Sequence, residues 1–242
     1  MNPVMRLLAK VSWMIFATLV VSLPALAMTN EESVRLLKLT QFVLPDYPES
    51  VKQEGCTMGT VTVVISHDAA GKTTDVLVLD STHARFAAAV QTAVAGWRFL
   101  PDTVAGTTHA PLVRFCFTAQ GAVMIQATTS HQVMSHGIQA DQRQFPTFGA
   151  LDAAPKALEQ KMPVFPAALR GRVDRGTATV AFYVDETGRA RAAFVTDASA
   201  PEFAEAALAA VGQWRYEAPR QNGRPVVAME NWSFQFGGPS RS

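Results

Sequence analysis

Cysteine is scarce, with only Cys56 and Cys116 in 242 residues. That excludes a disulfide-dense scaffold and a four-cysteine zinc site. No excess of either charge exists: 21 basic and 20 acidic residues leave a net +1, so the clearly basic face that marks nucleic-acid binders is missing. The 14 prolines are scattered and form no Pro-rich run. No nucleophile elbow, metalloprotease HExxH or Walker loop occurs, and no Gly-rich strand-to-helix loop could cradle a phosphate. Neither catalytic residues nor a cofactor is therefore expected, and the reading is non-enzymatic. What is present is apolar material, 48% of the chain, which is ample for a packed core and excludes wholesale disorder. The length suits one large domain or two small ones.

Residues 1–27 read as a signal peptide. Arg6 and Lys10 form a short positive region, Val11 to Leu23 is an uncharged apolar run, and Pro24 precedes Ala25-Leu26-Ala27, a signal-peptidase pattern. The run is short against the ~20 residues that span a bilayer. Cleavage would make Met28 the mature N-terminus, lower the net charge to about −1 and leave an exported, periplasmic protein in an oxidising compartment. The alternative is a retained inner-membrane anchor facing the periplasm, the one circumstance in which membrane contact is expected.

Shifted by 117 positions, the sequence matches itself. Gly59-Thr60 falls on Gly176-Thr177, Thr62-Val63 on Thr179-Val180, Asp68 on Asp185, Gly71 on Gly188, Phe86-Ala87 on Phe203-Ala204, Trp97-Arg98 on Trp214-Arg215, Gly106 on Gly223 and Phe117 on Phe234. A period this long is a domain duplication rather than a solenoid. In each copy a β-branched run (61–66, 177–184) leads into an Asp-x-x-Gly turn and a second strand (73–80, 189–196). The apolar period then changes to helical, with Phe86, Ala89, Val90, Ala93, Val94 and Trp97 on one face, and Phe203, Ala207, Ala210, Val211 and Trp214 on the other copy's. Ser199-Ala200-Pro201-Glu202 looks like a capping box with Pro in the first turn. A third strand follows at 111–118 and at 226–236. The fold class is thus α+β: two tandem units of strand–strand–helix–strand, each a three-stranded antiparallel-type sheet in the order 2-1-3 with one helix on a face.

The divisions expected are a signal peptide at 1–27, a short amphipathic segment at 28–43, one unit at 44–119, a linker at 120–160, a second unit at 161–237 and a tail at 238–242. Residues 30–43 suggest a short helix packing on the first unit. Within the linker, 122–127 could extend a strand, and 149–162 reads as a helix interrupted near Pro155. His131, Met134 and His136, with Met124 nearby, form an incomplete soft-metal set, so no metal site is expected.

The combination Pro45-x-Tyr47-Pro48, Gly59-x-Val61-x-Val63, Asp68-x-x-Gly71, a helix, Trp97-Arg98-Phe99-x-Pro101 and Gly106 resembles the C-terminal domain of TonB. The second copy repeats it with Pro163-x-x-Pro166, Gly176, Asp185-x-x-Gly188, Trp214-Arg215-Tyr216 and Gly223. The resemblance implies a periplasmic module driven by an inner-membrane motor, which takes an extended segment of an outer-membrane transporter as an added strand beside its own third strand. Three departures argue against a stand-alone energy transducer. No histidine lies in residues 1–27, only about 17 residues separate Ala27 from Pro45, a reach of about 60 Å at most, and the domain is duplicated. A short membrane-anchored transducer is the reading if residues 11–23 are retained, and a cell-wall-binding or envelope-integrity module is a further alternative.

Two sets of residues carry specific expectations. The third strands are the exposed edges in a 2-1-3 sheet, so Leu112, Arg114 and Cys116 in one unit, and Val226, Ala228, Glu230 and Trp232 in the other, are the candidate peptide-binding edges for a protein partner. Such edges also invite self-pairing, as a homodimer or a pseudo-dimer between the units. Cys56 and Cys116 would become neighbours if the end of strand three meets the start of strand one. A disulfide is expected there, worth roughly 4 kcal/mol for a loop of about 60 residues; two free thiols are the alternative.

Overall fold

The structure, a computed structural model, describes residues 34–68, 70–101, 110–128 and 146–237. The signal peptide expected at residues 1–27, Gly106, the His131–Met134–His136 set and the expected tail at 238–242 lie outside these residues.

The first unit opens with β1 (Leu39–Gln41), a short helix α1 (Glu49–Gln53), then β2 (Gly59–His67) and β3 (Thr73–Ser81). Helix α2 (Ala84–Ala95) follows, then β4 (Arg98–Phe99), β5 (Leu112–Thr118) and β6 (Gly121–Thr128). The second unit holds β7 (Ala157–Glu159), β8 (Arg175–Val184), β9 (Ala190–Ala198) and α3 (Pro201–Val211). It closes with β10 (Arg215–Tyr216), β11 (Arg220–Gln221), β12 (Arg224–Pro225) and β13 (Ala228–Gly237). All pairings between these strands are antiparallel, and both main sheets keep the 2-1-3 order. The second sheet is β13-β8-β9; the first is β3-β2-β5-β6, one strand wider than the duplication alone predicts.

The turn and helix signals act alike in both copies. Asp68 Oδ1 accepts from the amides of Ala70 and Lys72, and Asp185 Oδ1 from those of Thr187 and Arg189, so each carboxylate closes its own hairpin. Gly71 and Gly188 have positive φ, and a Cβ there would meet the carbonyl oxygens of Phe99 and Tyr216 at 2.0 Å, so the turn packs directly on β4 or β10. The capping-box expectation fails. Ala200 occupies the N-cap with no side-chain bond, because Ser199 Oγ is already bonded to both the amide and the carbonyl of Thr177. Thr82 does the same for Thr60 in the first unit.

Strand alternation gives each sheet two buried faces. One face of the first sheet, with Val61, Val63, Ile65, Phe115 and Phe117, packs on α2 through Phe86, Val90 and Val94. In the second, Val180, Phe182, Phe234 and Phe236 meet Phe203, Ala207 and Val211 of α3. Trp97 and Trp214 are fully buried at the helix ends, and their indole N–H groups donate to the carbonyls of Val43 and Lys161, at 2.9 and 2.8 Å. These bonds tie the entry segment of each unit onto its core.

The opposite faces of the two sheets pack against each other, so the layers run helix, sheet, sheet, helix. This third core contains Val64, Leu77, Ala110 and Leu112 from one unit and Ala181, Tyr183, Ala192, Phe194 and Val227 from the other. Val64 and Ala181, Leu77 and Phe194, and Ala110 and Val227 are each counterparts across the 117-residue repeat. The units do form an internal pair, but through sheet faces and not through edges.

Local expectations outside the repeat fared unevenly. Val34, Leu36, Leu37 and Leu39 do pack on the first core, but residues 39–41 form a strand against Arg98–Phe99 instead of continuing a helix. The helix expected across 149–162 is absent; a 3-10 turn at Phe148–Ala150 is followed by β7, which pairs with β10. Extended pairing wins there because Glu217 donates its amide to the Lys156 carbonyl at 2.8 Å, anchoring the segment to the second unit.

Candidate functional site

The third strands are where the two units differ. In β5 the carbonyl of Pro111 accepts from Ile65 of β2, which turns the backbone groups of Leu112, Arg114 and Cys116 outward by alternation. That outer side is occupied. β6 pairs with β5 along its length, with Leu112 opposite Thr128, Arg114 opposite Gln126 and Cys116 opposite Val123. The first of the two expected edges is therefore an interior strand, closed by the chain's own next segment.

In β13 the backbone alternates in the same phase as in β5, but the expected residues fall on the inward positions. Met229 donates its amide to the Pro146 carbonyl at 3.0 Å, away from β8. Alternation then turns the backbone groups of Asn231, Ser233 and Gln235 outward, while Ala228, Glu230 and Trp232 turn theirs into the β8 ladder. Among the described residues no strand lies outside β13 from Asn231 to Gly237. Val226 precedes the strand and donates to the Pro219 carbonyl in a turn. The alternating apolar residues Trp232, Phe234 and Phe236 reveal from sequence which face is buried. They do not reveal which backbone groups face the open side, and so Asn231, Ser233 and Gln235 were missed.

Two side chains shape the open edge. Trp232 stacks edge-on against buried Trp214, with centroids 5.6 Å apart at 90°, yet remains 40% exposed. The Glu230 carboxylate accepts from the outward amide of Asn231 at 2.9 Å, capping that donor. Its charge also acts on Tyr216, whose phenol is pushed up to about 12, first by burial and then by Glu230.

The interface between units carries its own polar cluster, which nothing in the sequence singles out. Arg191 grips Asp75 with two bonds, Nε to Oδ2 at 2.8 Å and Nη2 to Oδ1 at 2.5 Å, and Asp75 Oδ2 also accepts from the Ala192 amide at 3.2 Å. Arg191 Nη1 lies 3.5 Å from Asp185 Oδ2. Hydrogen bonding to Asp75 raises the Arg191 pKa against the opposing effect of burial. Burial pushes Asp185 upward, but bonds from Thr187 and Arg189 and the charge of Arg191 outweigh it and hold the carboxyl below its usual range.

The expected disulfide is not formed; both cysteines are free thiols. Cys56 packs against the helix-side core. Cys116 lies between Phe115 and Phe117, both of which point to that core, so its side chain points to the opposite face of the sheet. A sheet thus separates the two sulfurs. Sequence spacing predicted the pairing of strand ends but not the face.

The fold is α+β, with two repeated units packed face to face and, among the described residues, no strand on the outer side of β13 from Asn231 to Gly237. Comparison with protein families gives the particular family: the model for the Gram-negative bacterial TonB protein C-terminal domain matches residues 43–118 and again 161–236, and the chain belongs to that family. The family is one of non-enzymatic interaction domains of the bacterial envelope. The solution NMR structure of the Pseudomonas aeruginosa TonB C-terminal domain is similar at 27% identity, covering 38% of this chain and 93% of that one, with a TM-score of 0.33. No curated protein matches the chain.

Proposed function

We propose that this chain is a periplasmic protein-interaction module that takes an extended segment of a partner protein as an added strand beside β13. The observation that carries the reading is the contrast between the two third strands: β5 has neighbours on both sides, whereas among the described residues no strand lies beside β13 on its outer side from Asn231 to Gly237. Ser233 and Gln235 each turn one N–H and one C=O toward an incoming strand, as does Asn231 once its N–H is released from the Glu230 carboxylate, and main-chain bonds of this kind supply affinity without demanding one sequence. Family membership supports an outer-membrane transporter as the partner class and a link to energy-dependent transport. Export through the 1–27 leader supplies the compartment.

Titration of the purified chain with peptides copied from the plug segments of outer-membrane transporters tests this. Binding should be abolished by Gln235→Pro, which removes an outward donor while leaving the inward β8 ladder intact. Absence of binding by every such peptide, or binding indifferent to Gln235→Pro, overturns the proposal.

A further inference from the structure

The chain contains an example of what such an edge accepts. β6 lies beside β5 as an antiparallel strand, with Ala122 opposite Phe117 and Met124 opposite Phe115; a bulge between Arg114 and Phe115 then brings Gln126 opposite Arg114 and Ala127 opposite Val113. Across the 117-residue repeat, Phe117 corresponds to Phe234, Phe115 to Trp232 and Val113 to Glu230. The positions that would face Phe234 and Trp232 are thus filled in the first unit by a small and an apolar residue. A strand laid on β13 in the same direction meets the same buried aromatic at Phe234 and a half-exposed indole at Trp232.

The third position differs. Val113 is fully buried, whereas its counterpart Glu230 is half-buried and bends its carboxylate to the open side, over the Asn231 amide. Among the described residues no lysine or arginine forms an ion pair with Glu230. An incoming strand must pair with the Asn231 amide and so displace that carboxylate. A carboxylate deprived of its bond beside a newly formed sheet favours a cation opposite it.

β13 pairs with β8 without a register shift, and resting on the β13 reading above, we infer that the second unit selects protein segments of the pattern small–x–apolar–x–basic, bound antiparallel and without the bulge of β6. The small residue faces Phe234, the apolar one covers Trp232 and the basic one pairs with Glu230. In the first unit the counterpart strand, β5, is already covered on that side by β6.

The test uses the full-length mature chain and two synthetic peptides, acetyl-Thr-Ala-Thr-Met-Thr-Lys-Thr-amide and its Lys-to-Glu counterpart. Affinity is followed by calorimetry and by the amide shifts of Asn231, Ser233 and Gln235. The lysine peptide should bind about two- to fivefold more tightly. The preference should vanish in Glu230→Gln and shrink at roughly 1 M salt, where the Debye length is about 3 Å. Equal binding of the two peptides, or a preference that survives Glu230→Gln, overturns the selectivity while leaving strand addition at β13 intact. If neither peptide moves those three amides, the β13 reading fails as well. If a peptide copying Gly121–Thr128 binds best and the chain dimerises, the edge takes the β6 strand of a second copy, and the inference is again overturned.

Discussion

Phe115 and Trp232 occupy one position in two copies of the same fold, and only one of them is sealed. Phe115 is fully buried, 5.9 Å from the Trp97 ring and flanked by β2 and β6. Trp232 meets Trp214 in the same edge-on manner but has β8 on one side and, among the described residues, no strand on the other.

Truncating the two should therefore separate stability from binding. Phe115→Ala leaves a cavity in a closed core and should cost about 3–5 kcal/mol. Trp232→Ala loses chiefly one aromatic contact, about 0.5–1.5 kcal/mol, and should weaken peptide binding far more than it lowers the unfolding midpoint in urea. Equal destabilisation by both would show that Trp232 is core.

Arg191 is the polar link between the units. Arg191→Met removes the two bonds to Asp75 and leaves that carboxylate partly buried, at a cost of about 1–3 kcal/mol. Asp75→Ala combined with Arg191→Met should cost less than the sum of the single changes, because each partner alone is the unpaired one. Additive values from a double-mutant cycle in chemical unfolding would contradict the coupling.

Tyr216 makes stability depend on high pH. Its phenol ionises near 10 in an unfolded chain and is pushed up to about 12 by burial and by Glu230. The folded form therefore keeps its proton longer than the unfolded form. Its contribution is complete below pH 10 and is lost as the pH rises through about 12. NMR titration of ring-labelled tyrosine should show this, and Glu230→Gln should lower the value; an unchanged value would remove Glu230 as a cause.

Both thiols should be free without any reductant. Alkylation of the never-reduced protein in denaturant should add two groups by mass, since Cys56 and Cys116 lie on opposite faces of the sheet. Failure to add any group would restore the bridge.

The duplication, the 2-1-3 order and the buried tryptophans were legible because they rest on local signals: β-branched runs, an Asp-x-x-Gly turn, a helical apolar period. Ser199 was misread since the same residue type caps a helix or ties two strands, and only tertiary placement chooses. The residues around 149–162 were misread because pairing with β10 overrides a weak helical pattern. β6 was seen as strand-forming, but nothing in its composition says that it closes the neighbouring edge. Hydrogen-bond direction along β13 was beyond reach, because it depends on which residue of β8 lies opposite.

The contact between Asp75 and Ala192 has a meaning beyond stability. These positions are counterparts, so the repeat meets itself there, as identical subunits do at a two-fold axis. In a symmetric dimer any substitution appears twice, and a carboxylate at that place would confront its own copy. Joining the copies in one polypeptide lifts that constraint. Each half is then free to diverge alone, one presenting an acid where the other offers a backbone amide, and one closing its flank while the other leaves it available. The pairing is also independent of protein concentration, because the second half is always tethered to the first.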